Sequence, residues 1–318
     1  MIILERLYSD NGNHRLHLAP LFGIGLIGRA IAAYAMRTLG FTAREFAFDW
    51  SNTSQRARDA DAIKAYILER RSTELPAKLG RLDILWAAGK AGFGSSTAEI
   101  ELELAAFDDV LALGRRLFEG VPSKQRNFHL LSSAGGLFEG QRQVSGASTP
   151  APLRPYGCLK LEQEQRLADL AETKAFIYRP SSVYGFSGSG VRLGLMNALI
   201  QNAVRHRVST IYGEPHSVRD YILASDVGHF ISRQLVSESA SNTFLLASAK
   251  PSSIFELLRK IELIVGRKIF IHFDTRPSNS SNMSFCQSSL PPDWRPTDLD
   301  SGIRMTARQL MNSLARAN

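Results

Sequence analysis

Short apolar runs alternate with longer amphipathic stretches along this chain. Runs of strand length lie at residues 14–22, 45–48, 82–87, 127–131 and 175–178. Stretches with apolar positions three and four residues apart, as on one helix face, lie at residues 29–39, 60–70, 100–118 and 156–172. Strands that alternate with helices predict an α/β fold, a doubly wound parallel sheet with helices on both faces.

The alternation is irregular near the start of the chain and again beyond its middle. Residues 1–9, followed by a turn-forming stretch at 10–13, predict an additional strand and a tight turn ahead of the main fold. Between Asp49 and Leu82 the pattern indicates a helix but no further strand. We expect two domains. The larger comprises residues 1–185 and a strand and helix that return to it at about residues 218–248. The smaller C-terminal lobe comprises residues 186–217 and 249–318.

Composition narrows the class of protein. Of the 318 residues, 44% are hydrophobic and 21% are charged, as in ordinary globular proteins. With only Cys158 and Cys286, we expect no disulfide framework, no metal site and a reducing, cytoplasmic environment. Pro20 and Arg29 interrupt the longest apolar stretch, so we expect no membrane span.

The formal net charge of +8 is spread along the chain. Basic residues are not interleaved with aromatic residues along one stripe, and no zinc-finger, helix-turn-helix or RNA-binding signature is present. We therefore expect no nucleic-acid partner. The charge is compatible with an anionic small molecule and equally with a generally basic surface.

Glycines follow the strand at residues 14–22 at the spacing of a dinucleotide-binding turn. Gly23, Gly25 and Gly28 stand between this strand and a helix. They let the pyrophosphate of a dinucleotide approach the backbone at a helix N-terminus, where the helix dipole favours anions. The turn is therefore a candidate cofactor site.

Asp49 lies at the end of the next predicted strand, about twenty residues beyond the last glycine, where such folds place a carboxylate for the adenosine ribose hydroxyls. A carboxylate at this place would repel the 2′-phosphate of NADP. We therefore expect NAD as the cofactor and keep NADP as the alternative, because Arg56 could reach the same position.

Tyr156 and Lys160 are the candidate catalytic pair. They stand four residues apart in a predicted helix, and residues at this spacing share one helix face. An ammonium held beside a phenol favours the phenolate, which lets the pair exchange a proton with a substrate hydroxyl near neutral pH. The spacing is also common on solvated helix faces, so its weight depends on the rest of the chain.

Together these residues resemble the extended short-chain dehydrogenase/reductase family, in particular the NAD-dependent epimerase/dehydratases that act on nucleotide sugars. The resemblance covers nearly the whole chain in order, through Gly25-Leu-Ile-Gly28, Trp86-Ala-Ala-Gly89, Ser132-Ser-Ala-Gly-Gly136, Pro155-Tyr-Gly-Cys-Leu-Lys160, Tyr178-Arg-Pro-Ser-Ser-Val-Tyr-Gly185 and Val218-Arg-Asp-Tyr-Ile222. It implies a Rossmann-type sheet, a smaller C-terminal substrate-binding lobe and a homodimer. Where the family usually has a further glycine, this chain has Phe22.

The resemblance also implies a role for each candidate residue. The expected catalytic residues are Tyr156, Lys160 and Ser133. The expected cofactor contacts are Gly23, Gly25, Leu26, Ile27, Gly28, Asp49, Ala87, Ala88, Gly89, Ser132, Tyr156, Lys160, Arg179, Pro180 and Ser182. The expected substrate contacts are Ser133, Ala134 and Arg219, the last pairing with the diphosphate of the nucleotide sugar. Ser132, Ser133 and Ala134 remain alternatives for the position whose hydroxyl orients the substrate.

The implied activity is that of an NAD-dependent nucleotide-sugar epimerase, with a 4-epimerase as the first choice. Tyr156 would act as general base or acid on a sugar oxygen while a hydride is transferred. The family's dehydratases place an Asp-Glu pair after the hydroxyl residue, and Ala134-Gly135-Gly136 disfavour that reaction here. An NAD(P)-dependent keto-sugar-nucleotide reductase and a non-catalytic cofactor-binding relative are the alternatives, and the sequence leaves the sugar open.

Overall fold

The computed structural model describes residues 1–72, 77–186, 194–212, 214–274 and 282–316, so parts of the predicted smaller lobe lie outside the described residues. The chain forms two compact units. The first comprises Met1–Leu137, Pro152–Arg179 and Gly228–Phe244, and the second Phe138–Ala151, Pro180–Val227 and Leu245–Asn318. The assignment of cofactor and substrate to separate domains stays a prediction.

The elements alternate between strands and helices for most of the chain. The strands are β1 Ile2–Asp10, β2 Asn13–Phe22, β3 Thr42–Glu45, β4 Lys78–Trp86, β5 Arg126–Leu131, β6 Lys174–Pro180, β7 Ser182–Tyr184, β8 Val208–Tyr212, β9 Val218–Arg219, β10 Tyr221–Leu223, β11 Asn242–Leu246, β12 Ser252–Ser253 and β13 Phe270–Asp274. The α-helices are α1 Leu26–Thr38, α2 Thr53–Arg71, α3 Thr97–Phe118, α4 Ala134–Leu137, α5 Pro155–Ala168, α6 Leu195–Val204, α7 Ala224–Leu235, α8 Ile254–Val265 and α9 Leu299–Ala315.

The central sheet has seven strands in the order β11-β6-β5-β4-β2-β1-β3. Strands β2, β4, β5 and β6 are parallel neighbours, whereas β1 is antiparallel to both β2 and β3. The mostly parallel sheet confirms the α/β fold class. In parallel sheets of this kind the carboxyl ends of the strands meet at one edge, which is where ligands bind.

The additional strand predicted at the start of the chain is confirmed as β1. It forms a hairpin with β2 across Asn11 and Gly12, which both have positive φ angles (49° and 78°), as a two-residue hairpin turn requires. Strand β1 lies between β2 and β3 in the sheet. The glycine-turn strand β2 and the strand that leads to Asp49 are therefore separated by one antiparallel strand.

The strand predicted at residues 45–48 is wrong, because the strand is β3, Thr42–Glu45. All four residues of β3 are exposed at the sheet edge, so they carry no apolar alternation. The apolar side chains that suggested the strand belong to the segment that follows it. Phe46 donates its N–H to the Met1 carbonyl oxygen, and the Phe48 ring packs against Phe22 at the end of β2, 4.9 Å between centroids.

Helix boundaries follow capping residues more closely than apolar spacing. Helix α2 begins at Thr53 rather than residue 60, because the side chain of Asn52 accepts the N–H of Gln55. Helix α3 begins at Thr97 behind a capping box formed by Ser96 and Glu99. Helix α5 ends at Ala168, four residues before its predicted end at residue 172.

Each unit has its own hydrophobic core. In the first unit, β4, β5 and α3 contribute buried residues such as Ile84, Phe128 and Phe107. In the second, α6, α8 and α9 pack together through residues such as Leu199, Leu257 and Ile303. In the part of the chain that the structure describes, no helix combines the length and apolar character needed to cross a membrane.

Candidate active site

The glycine turn packs directly against the end of β4. Gly23 has φ +96°, and a Cβ atom there would lie 2.4 Å from the Cα of Ala88. A Cβ on Gly28 would lie 1.9 Å from the carbonyl oxygen of Gly23. Ala87 donates its N–H to the carbonyl oxygen of Phe22, at 2.8 Å. The glycines and the small residues after β4, two groups of predicted cofactor contacts, therefore lie side by side.

Gly25 differs from the other two glycines of the turn. Among the described residues, no atom lies within 4 Å of a Cβ built on it, so the space in front of it is open. It caps the N-terminus of α1 without a side-chain hydrogen bond, and the first helical residues, Leu26 and Ile27, follow at once. The backbone N–H groups at this end are in position for an anion. This open cradle fits the pyrophosphate of a dinucleotide.

Asp49 sits at the start of a tight turn into α2. Its Oδ1 accepts bonds from the Ser51 N–H (2.8 Å), the Ser51 hydroxyl (3.0 Å) and the Asn52 N–H (2.7 Å). These bonds lower the pKa of the exposed Asp49 carboxyl below its ordinary value, and the bond from the Asn52 N–H contributes most. Trp50, the next residue, packs edge-on against Trp86 at the end of β4, 6.0 Å between centroids. The segment thus returns to the carboxyl edge of the sheet.

The side chain of Arg56 is not directed at the Asp49 carboxylate, as it would be if it bound the 2′-phosphate of NADP there. Its side chain is 2% exposed, and its Nε donates to Asp109 at 2.6 Å. Its Nη1 donates to the backbone carbonyl oxygens of Asp49 and Trp50, at 3.4 and 3.3 Å. Arg56 therefore holds the turn from within, which removes the reason for keeping NADP.

Helix α5 presents Tyr156 and Lys160 on one face, with the ammonium 5.7 Å from the phenol ring centroid. Pro155 occupies the first turn of the helix, where its missing N–H is not needed. A Cβ on Gly157 would lie 2.1 Å from the carbonyl oxygen of Gly136, so only glycine lets α5 approach the serine turn this closely. Gly136 in turn lies against the Tyr156 ring.

The three candidates for the substrate-orienting hydroxyl differ in their surroundings. The hydroxyl oxygen of Ser133 accepts the Gly136 N–H at 3.1 Å, and its own proton can still be donated. Ser132 donates its backbone N–H to the carbonyl oxygen of Tyr178, while its buried hydroxyl has no hydrogen-bond partner among the described residues. Ala134 is fully buried. Both serines therefore have a hydroxyl proton to offer, and the choice of Ser133 stays a prediction.

Lys160 is buried, and its ammonium has two acceptors that the sequence did not reveal. Nζ donates to Glu103 Oε1 and to Gln163 Oε1, each at 3.0 Å. Burial alone would lower the pKa of Lys160, but the neighbouring carboxylate of Glu103 outweighs it and the pKa is raised. A signal existed in the sequence, since Glu103 falls on the apolar face of α3, three and four residues before Ala106 and Phe107.

The remaining predicted contacts lie at the end of β6 and in the second unit. Arg179 makes a bidentate ion pair with Glu164 of α5, at 3.0 and 2.6 Å, and so ties β6 to this helix. Pro180 is the last residue of β6, and Ser182 donates its N–H to the Asp220 carbonyl oxygen at 3.0 Å. The cofactor contacts of these three residues stay predictions.

Arg219, the predicted diphosphate ligand, lies in β9, which pairs with β12. The next residue, Asp220, is buried, and its carboxylate accepts bonds from the Ser181 hydroxyl at 2.6 Å and from the Ser248 N–H and hydroxyl, both at 2.8 Å. Asp220 therefore ties the segment that follows Arg219 to residues 181 and 248 within the second unit.

The model of the family described as NAD dependent epimerase/dehydratase matches residues 22–245. Among solved structures, a UDP-glucose 4-epimerase of Thermus thermophilus in complex with NAD has a TM-score of 0.71 at 18% identity, over 92% of this chain and 98% of that one. A Thermotoga maritima UDP-glucose 4-epimerase with UDP-glucose has a TM-score of 0.71 at 18% identity, over 93% and 99%. A Bacillus cereus UDP-glucuronic acid 4-epimerase with UDP-glucuronic acid and NAD has a TM-score of 0.69 at 15% identity, over 92% and 98%. At these identities the structures show a shared fold.

Proposed function

This chain belongs to the NAD dependent epimerase/dehydratase family, and we propose that it is an NAD-dependent nucleotide-sugar epimerase that acts at carbon 4. The observation that carries the proposal is the Tyr156–Lys160 pair, with the ammonium 5.7 Å from the phenol ring on a helix pressed against the serine turn. A phenol and a buried ammonium on one helix face are suited to moving a proton at a sugar oxygen.

The proposed cofactor is NAD, which supplies the hydride acceptor and donor when it is bound. The open space at Gly25 and the uncapped N-terminus of α1 support binding of its pyrophosphate. Asp49 would accept bonds from the adenosine ribose hydroxyls, and the ion pair that holds the buried Arg56 side chain against Asp109 favours NAD over NADP. Lys160 would donate its third N–H to the nicotinamide ribose.

The chain's own residues would handle the proton. Tyr156 would accept the proton of the sugar hydroxyl when its carbon is oxidised and return a proton when the carbon is reduced. Ser133, or alternatively Ser132, would donate a hydrogen bond to the same oxygen and stabilise the charge that develops there. Arg219 would pair with the substrate diphosphate, for which a bidentate guanidinium is suited.

The decisive experiment incubates the purified protein with NAD and a panel of nucleotide sugars. We expect the 4-epimer of one sugar to accumulate without a lasting change in absorbance at the reduced-nicotinamide band. In a parallel incubation with reduced cofactor and keto-sugar nucleotides, consumption of one reduced cofactor per sugar would point to a reductase instead. Cofactor binding without turnover of any sugar would support the non-catalytic relative.

The cofactor part of the proposal is tested by Gly25→Ala. The added methyl meets no atom of the described residues within 4 Å, and because alanine is less favourable than glycine at an N-cap, the free energy of unfolding should fall by only about 1 kcal/mol. It would occupy the place proposed for the pyrophosphate, so the dissociation constant for NAD should rise about tenfold or more, a loss of about 1.4 kcal/mol. Gly146→Ala, which also meets open space but lies outside the turn, is the matched control. Equal NAD affinity in both variants would contradict the site.

A further inference from the structure

Glu103 is the residue that connects the candidate catalytic lysine to the loop after β4. One of its carboxylate oxygens, Oε1, accepts a bond from Lys160 at 3.0 Å. The other, Oε2, accepts the backbone N–H of Ala91 at 3.0 Å. Gly89, whose φ is +151°, lies so close that a Cβ there would be 2.9 Å from Oε1. The carboxylate therefore touches the catalytic helix and the predicted cofactor loop at once.

The packing of these atoms indicates a built arrangement rather than a chance surface contact. Glu103 and Lys160 have side chains that are both 6% exposed, and Gln163, which is fully buried, adds a second acceptor for the ammonium. Two of the three N–H donors of Lys160 are thereby committed, which fixes the direction of the third. A buried glutamate is rarely found without such a partner, because the charge must be compensated.

We propose that Glu103 is a positioning residue of the candidate active site, which holds Lys160 at the angle needed for the cofactor ribose and balances its charge beside Tyr156. The proposal rests on the proposed function, since it assigns a role within the same site. It predicts two separable effects: loss of the carboxylate should weaken NAD binding, and it should let the Tyr156 phenol release its proton at lower pH.

The direction of the second effect follows from the charges around the ammonium. These are Glu103 on α3, Tyr156 and Glu164 on α5, Arg179 on β6, which is paired with Glu164, and Arg154, whose guanidinium stacks on Phe93 beside the Tyr156 ring. Replacing Glu103 by glutamine makes this group one unit more positive. While the ammonium keeps its proton, a more positive surrounding favours the charged phenolate, so the Tyr156 phenol gives up its proton more readily.

The test compares Glu103→Gln with Glu101→Gln, a control that removes the same charge from an exposed position two residues away on the same helix. Phenolate absorbance is followed against pH in the NAD-bound protein, with Tyr156→Phe identifying the contribution of Tyr156. In Glu103→Gln we expect the transition to move down by about one pH unit, which is tenfold in the proton equilibrium. The dissociation constant for NAD should rise about fivefold, a moderate loss for one misdirected donor. Glu101→Gln should change neither.

A folded Glu103→Gln protein with unchanged phenolate titration would overturn the proposal. If this variant does not fold, Glu103→Asp carries the test, because it keeps the charge but withdraws it by one methylene. The titration should then move in the same direction by less than half as much, and an unmoved titration again contradicts the proposal. Neither readout requires sugar turnover, so an inactive parental protein would count against the proposed function alone.

Discussion

Two buried clusters of charged residues in the first unit look alike in composition but differ in what they leave open. The Asp83 cluster consists of His17, Arg81, Asp83, His129 and Tyr178, all on the strands of the sheet. The Lys160 cluster consists of Glu103, Lys160 and Gln163, on two helices. Each holds a carboxylate paired with a cation, and neither pairing was predicted from the sequence.

The Asp83 cluster closes on itself. The two carboxylate oxygens accept bonds from His17 at 2.6 Å, from His129 at 2.7 Å and from two nitrogens of Arg81 at 2.8 and 3.0 Å. The other ring nitrogen of His129 bonds the Tyr178 hydroxyl at 2.8 Å. Burial alone would raise the pKa of Asp83, but the surrounding cations and donors hold it well below its usual range. A carboxylate whose two oxygens are both bonded in this way is suited to stabilising the sheet.

The Lys160 cluster, in contrast, has one N–H of the ammonium unused among the described residues and a phenol beside it. Burial and charge therefore do not distinguish a structural cluster from a catalytic one. The unused bonding capacity does, because only a group with a donor or proton to spare can act on a ligand. The following predictions test this distinction, beginning with the largest effect.

Tyr156→Phe should lower turnover of the nucleotide sugar by about 10²- to 10⁴-fold, the range for loss of a general acid–base group. The ring and its packing against Gly136 remain, so the unfolding midpoint and the NAD dissociation constant should match those of the parental protein. Turnover by the panel assay, thermal unfolding and NAD titration check the three expectations. Retained turnover would mean that another group moves the proton.

Asp83→Asn should instead lower the free energy of unfolding by about 3–5 kcal/mol, because Arg81 and two histidines lose their buried anionic partner. Turnover per folded molecule should be unchanged. Urea unfolding measures the first quantity and active-site-normalised kinetics the second. Asp10→Asn removes an exposed partner of Arg15, 3.8 Å away, and as a control it should change stability by less than about 0.5 kcal/mol. Reduced turnover in fully folded Asp83→Asn protein would contradict the assignment of a purely structural role to the Asp83 cluster.

Acid should destabilise the protein through the Asp83 cluster. Burial lowers the pKa of His17 and of His129 more than Asp83 raises them, so the unfolded chain binds more protons below about pH 6.5. The free energy of unfolding should therefore fall as pH falls, by up to about 1.4 kcal/mol per pH unit for each histidine. Protonation of Asp83 in the unfolded chain adds to the loss below about pH 4. Urea unfolding measured between about pH 4 and pH 6.5 should show a smaller change in the free energy of unfolding per pH unit for His129→Gln than for the parental protein. An equal change would mean that other groups cause the destabilisation by acid.

Tyr178→Phe is the smallest change. It removes only the hydroxyl that bonds His129 at 2.8 Å, within a stacked pair of rings. The free energy of unfolding should fall by about 1 kcal/mol, the usual value for one neutral hydrogen bond. Because the oxygens of Asp83 are bonded within the protein, we expect kcat and KM to be unchanged. A change in KM would show that the cluster communicates with the substrate.

The sequence predicted what depends on local spacing. The α/β class, the added first strand, the glycine turn and the helical face shared by Tyr156 and Lys160 all follow from periodicity and motif. The strand at residues 45–48 was misplaced because Phe46 and Phe48 pack over the end of the sheet rather than within a strand.

Partners that come from distant segments were not predictable. Glu103 stands in a stretch with the exposed Glu99 and Glu101, and its place on the apolar face of α3 marks it as buried but does not identify Lys160 as its partner. Asp83 and its histidines belong to three different strands and meet only through the register of the sheet. Whether a charge is solvated or paired depends on tertiary contacts that a single sequence does not contain.

The antiparallel insertion of β1 has a consequence for the order of folding. Strand β3 ends the sheet and pairs with β1, which itself pairs with β2 through a tight hairpin. Hairpins form within microseconds, whereas β3 must wait for the connection through α1 to close. The edge strand therefore has no template until the hairpin exists. In hydrogen exchange, amide protection in β3 should never outlast protection in β1, and both should be lost together when the hairpin opens.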